Sequence, residues 1–67
     1  MNIILNNTKE IFDGDKLTIS EIMKVKNYTF NDLIIKVNGA LILDDEWGEI
    51  VINDGDNLEI IHIFHGG

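Results

Sequence analysis

Thirteen isoleucines in sixty-seven residues, spread in short runs between turn signals, constrain this chain more than any other feature. A β-branched side chain loses rotamer freedom in a helix and packs well on a pleated surface, so such a chain favours strands. The runs are punctuated by Asn6-Asn7, Gly14-Asp15, Asn38-Gly39 and Asp54-Gly55-Asp56. These residue types tolerate positive φ and suit tight turns. The length predicts one domain over 1–67, near the lower limit for a self-supporting core. The chain has no cysteine, so neither a disulfide framework nor a thiolate zinc site can staple it. Packing of its 45% apolar residues must hold it together, and a cysteine-free chain fits a reducing compartment.

Along the chain, residues 2–6 read as a strand around Ile3, Ile4 and Leu5, with a returning strand over 9–13 after Asn6-Asn7. Thr18-Ile19-Ser20-Glu21 has the capping-box pattern, a hydroxyl at N-cap and a carboxylate three residues later. Ile19, Ile22 and Met23 follow at helical spacing, which predicts a helix over 19–26 with Asn27 as a left-handed stop. Residues 28–32 form a loop that sets an aromatic ring into the core. Leu33-Ile34-Ile35-Lys36-Val37 is nearly continuous in apolar character and reads as a central strand. Asn38-Gly39 turns it into a strand over 40–43. Asp44-Asp45-Glu46-Trp47 reads as a short helical turn, with Trp47 closing one end of the core. Residues 49–52 read as a brief strand or an extended connection, and 58–64 as the last strand.

Twelve acidic residues against five lysines and no arginine give a net charge of −7. Phosphate backbones repel such a surface, so no nucleic acid is expected as a partner. A basic protein partner fits the charge, and so does simple solubility. No apolar stretch approaches the roughly twenty residues of a membrane span, and residues 1–7 lack the character of a signal peptide. The expectation is a soluble cytoplasmic protein with no membrane partner.

The last two residues, Gly66-Gly67, follow an apolar strand. A strip without Cβ atoms can thread a narrow channel and present a carboxylate where bulkier residues cannot go. A solvated tail is the alternative reading.

The order strand, strand, helix, strand, short strand, turn, strand matches the ubiquitin-like β-grasp plan. That is an α+β fold with a mixed sheet of four to five strands and one main helix on one face. Pairing of the first and last strands follows from that analogy. Together with Val37-Asn38-Gly39, Glu46-Trp47, Asp54-Gly55-Asp56 and Gly66-Gly67, the order resembles the thiamine-biosynthesis sulfur carrier family (ThiS) over essentially the whole chain. Two departures stand out. Leu43-Asp44 occupies the place where many members carry Pro-Arg, and His65 precedes the glycines where a small residue is frequent. The related molybdopterin-synthase small subunit shares the fold and the ending but tends to carry prolines near it, and this chain has none.

The resemblance implies a carrier and co-substrate, not an enzyme, working in formation of the thiazole moiety of thiamine. Gly67 would be adenylated by an ATP-dependent E1-like activating enzyme and converted to a thiocarboxylate by a sulfur donor such as a cysteine desulfurase. It would then give its sulfur to a thiazole synthase. ATP and magnesium would belong to the activating enzyme, and no cofactor would be bound by this chain. Gly66 and His65 would thread into the partner within a flexible tail over 65–67. The alternatives are a molybdopterin-type or other sulfur carrier of the same fold, and a ubiquitin-like binding module without terminal chemistry.

No catalytic constellation is expected, since Ser20 belongs to the capping pattern. His62 and His65, three apart on a strand, point to opposite faces and cannot readily share a metal. Asp44-Asp45 and Asp54/Asp56 lack the spaced ligand loop of an EF-hand and read as solvated turns. If Leu58 and Ile60 face the helix, Glu59, Ile61 and Ile63 face the other way, on a sheet face with no second layer. The expectation is a partner-binding face at Glu59, Ile61 and Ile63, against an alternative in which the strand twists and buries Ile63.

Overall fold

The computed structural model describes residues 1–28 and 32–63. Strands β1 (Asn2–Leu5) and β2 (Thr8–Ile11) pair antiparallel through a two-residue turn. Asn6 and Asn7 both take positive φ there, at 50° and 67°, as a hairpin turn compatible with strand twist requires. β3 (Lys16–Thr18) leads directly into helix α1 (Ile19–Val25). β4 (Leu33–Val37) and β5 (Ala40–Ile42) pair through Asn38-Gly39, again with both φ values positive. A 3₁₀ turn (Asp44–Glu46), β6 (Val51–Asn53) and β7 (Asn57–His62) complete the described residues.

Five of these strands form one mixed sheet in the order β2-β1-β7-β4-β5, and β3 pairs with β6 in a separate ribbon. The last strand runs parallel to the first and antiparallel to β4, which places it in the middle. α1 crosses one face. Its Ile19, Ile22 and Met23 are buried against Ile3, Leu5, Ile35, Leu58 and Ile60 from three neighbouring strands. This arrangement follows from period: alternate residues of β1, β4 and β7 point to the helix, and the intervening ones point away.

Both ends of α1 are closed as its sequence predicts. The Thr18 hydroxyl accepts from the Glu21 N–H, and the Glu21 carboxylate accepts from the Thr18 N–H. Asn27 at φ 59° ends the helix, with the Tyr28 N–H donating to the Met23 carbonyl and the Asn27 N–H to the Lys24 carbonyl. Tertiary partners complete the N-terminal end, where the Ile19 and Ser20 N–H groups donate to the carbonyls of Ile50 and Trp47. Trp47 is buried and its ring N–H reaches the Ile42 carbonyl, so it closes one end of the core.

Several boundaries differ from the sequence reading. β2 spans 8–11 and not 9–13, β5 stops at Ile42, and β6 begins only at Val51. The β3–β6 ribbon was not anticipated. Three residues of β3 carry too little alternation to register, and the pairing of Leu17 with buried Ile52 is a contact at long range. Tyr28 packs partly buried against the core, whereas Phe30 lies outside the described residues.

Candidate docking face and the root of the tail

β7 reaches its central place through an unusual local device. The parallel ladder with β1 covers only Ile4 and Leu5 against Asn57 and Leu58. Beyond it, the Asn6 side chain takes over. Its Oδ1 accepts from the Ile60 N–H at 2.8 Å and its Nδ2 donates to the Ile60 carbonyl at 3.1 Å. A turn residue thereby acts as one more rung of the ladder and holds the last described strand in place.

At the other end of β7, the turn Asp54-Gly55-Asp56 ties three elements together. The Asp54 carboxylate accepts from the Asn2 N–H, and the Asp56 carboxylate accepts from the Asn53 N–H and the Asn38 side chain. Asn38 in turn accepts from the Asn57 N–H. These acids are structural acceptors, more committed than the solvated turns expected of them. Among the described residues no group of three or more histidine, cysteine or acidic side chains could hold a metal ion.

The predicted face can now be placed. Leu58 and Ile60 are buried toward α1, Glu59 is partly buried, and Ile61 and Ile63 are 45% and 41% exposed. Burial alternates from Asn57 to Ile60, and Ile61, His62 and Ile63 are then all exposed, so Ile63 is not tucked under. Its N–H donates to the Asp32 carbonyl at 2.8 Å, which carries the β4–β7 pairing one step past His62. On the helix side His62 meets Tyr28 edge to face, with ring centroids 5.4 Å apart. His65, Gly66 and Gly67 lie outside the described residues, so the metal reading of His62 with His65 and the threading role of the tail fall there too.

Register extends the exposed face beyond what sequence reasoning singled out. Ile34 pairs with Ile61, and Lys36 pairs with both Glu59 and Leu41, so all five share the face turned away from α1. Leu41 and Leu43 are 61% and 58% exposed, and both line an open depression of about 290 Å³ together with Ile34, Asp32, Asp44 and Trp47. A signal for this was present in the chain. A two-residue Asn-Gly hairpin sets Leu41 opposite Lys36 and thus on the Ile34 side.

A mixed five-stranded sheet with parallel first and last strands, and one helix across a single face, defines a ubiquitin-like β-grasp domain. Residues 3–67 match the model of the ThiS family, and the chain belongs to that family. By family it is a small sulfur carrier protein and not a catalyst. Its fold is similar to the crystal structure of a thiamine biosynthesis protein (ThiS) from Geobacter metallireducens, with a TM-score of 0.87, 22% identity and all of both chains covered. It is also similar to an NMR solution structure of a thiamine biosynthesis protein from Geobacter metallireducens, with a TM-score of 0.82, 22% identity, all of this chain and 88% of the other covered. No helix among the described residues is long and apolar enough to cross a membrane.

Proposed function

We propose that this protein carries sulfur for the thiazole moiety of thiamine on the α-carboxylate of Gly67. The observation that carries the reading is the family match, which runs through Gly66 and Gly67. The exposed apolar face beside the root of the tail supports it, because a carrier must offer its end to other proteins.

A free carboxylate resists attack, since resonance and charge both oppose a nucleophile. In the proposed cycle a carboxylate oxygen of Gly67 attacks the α-phosphorus of ATP and pyrophosphate leaves. The resulting acyl-adenylate has AMP as a good leaving group. A persulfide sulfur displaces it, and a second thiol cleaves the S–S bond to leave the thiocarboxylate. An E1-like activating enzyme supplies the ATP and magnesium chemistry, a cysteine desulfurase the sulfur, and a thiazole synthase accepts it. This chain supplies the handle: β7 to hold the tail, Gly66 and His65 to thread it, and the sheet face at Glu59, Ile61 and Ile63 to dock it. The cytoplasm, with its ATP and thiols, is the proposed compartment.

Intact-mass spectrometry tests this directly. After incubation with ATP, the cognate activating enzyme and a persulfide donor, the chain should gain the mass difference between one sulfur and one oxygen. A chain lacking Gly67 should fold and gain nothing. Sulfur acceptance by the shortened chain, or none by the full one, rejects the proposal.

A further inference from the structure

Leu41 and Leu43 contribute little to the core, yet they stand exposed and line one depression with Ile34, whose partner across the ladder is the exposed Ile61. Retaining these four large apolar side chains on one side of so small a domain costs solubility, and such patches mark interaction sites. Charge around the patch is mostly acidic. Asp32 and Asp44 line the depression, Asp45 and Glu46 continue the turn that Asp44 begins, and Glu59 pairs with Lys36. Among the described residues the other lysine of this sheet face, Lys9, lies on β2 at the far edge of the sheet. The three acids of the 3₁₀ turn directly follow Leu43 in the chain.

We propose that the docking surface extends from Ile61 and Ile63 across β4 to Leu41 and Leu43 and ends on the acidic turn Asp44–Glu46. It takes a protein surface with an apolar centre bordered by lysines or arginines. The inference rests on the carrier reading and names the chemistry of the partner at that site. Charge selects this occupant over the others. Two copies of a chain with net charge −7 would bring like-charged rims together, and an anionic membrane or nucleic acid would be repelled. The division of labour follows from the physics of association. Rim charges steer the encounter and make it sensitive to salt, while the desolvated apolar centre sets how long the complex lasts.

Surface plasmon resonance between the full chain and its cognate adenylating enzyme, across a range of salt, tests the proposal. Leu41→Ser with Leu43→Ser should raise the dissociation rate about tenfold with little change in association. Asp44→Lys with Asp45→Lys should lower the association rate about tenfold at low salt and flatten its salt dependence. The same reversal at Asp13 and Asp15, away from the patch, should leave the rates within about twofold. All substituted side chains are exposed, and unfolding curves matching the parent confirm that the folds are intact. Binding by both double variants within about twofold of the parent overturns the inference, as does sedimentation showing that the face is covered by a second copy. Binding is read separately from mass gain. Normal kinetics in every variant with sulfur still accepted rejects only this surface, whereas intact docking without any mass gain rejects the carrier reading.

Discussion

Asn6→Gly should destabilise the protein far more than its position in an exposed turn suggests. Glycine keeps the positive φ of 50° accessible, so the change removes the amide without forcing the turn. What is lost is the pair of bonds to Ile60, at 2.8 and 3.1 Å, on a residue that is 2% exposed. Each bond contributes about 1 kcal/mol, and each backbone group left buried without a partner costs about 1–3 kcal/mol. Both bonds are only part-buried, so each of the two Ile60 groups counts for about 1–2 kcal/mol and the expected loss is about 2–4 kcal/mol. A domain of this length has a total stability on the order of 3–10 kcal/mol, so the variant should lose a large share of it. The melting temperature should fall by roughly 10–30 °C. Asn7→Gly is the matched control, because Asn7 also has positive φ but makes no side-chain hydrogen bond among the described residues. It should stay within about 0.5 kcal/mol of the parent. Urea unfolding followed by Trp47 fluorescence measures both, provided the slope with denaturant is unchanged. Equal stability of the two variants, within about 0.5 kcal/mol, would refute the idea that the Asn6 amide serves as a rung between β1 and β7.

Ile35→Ala, at a fully buried position of β4, should cost about 2–5 kcal/mol by calorimetry. Thr18→Ala should cost about 1 kcal/mol by removing the hydroxyl that caps α1. At the acid end, Glu21 is held below its ordinary value of 4.5, first by the Thr18 backbone N–H. Its contribution is present above that value and is lost as pH falls through the lowered one, so Glu21→Gln should flatten the acid limb of a stability–pH curve. At the alkaline end, the bond to Glu10 raises Lys26 above its ordinary 10.5. That contribution is full below 10.5 and disappears as pH rises through the raised value, so Lys26→Met should remove an alkaline loss of stability seen in the parent.

Features written into adjacent residues were legible before any fold was known. The capping box at Thr18 and Glu21, the left-handed stop at Asn27 and the two-residue turns at Asn6-Asn7 and Asn38-Gly39 depend on backbone geometry within a few residues. So does the alternation of β7, which exposes Ile61 and buries Ile60. Other features arise between distant segments, where local patterns carry no information. The ribbon of β3 with β6, the Asn6 amide on Ile60 and the helix N–H groups satisfied at Trp47 and Ile50 join residues far apart in the chain. The wider docking face belongs with these. Leu41 shares a surface with Ile61 only because β4 lies between their strands, and that neighbourhood is set by sheet order, which hydrophobic period does not encode.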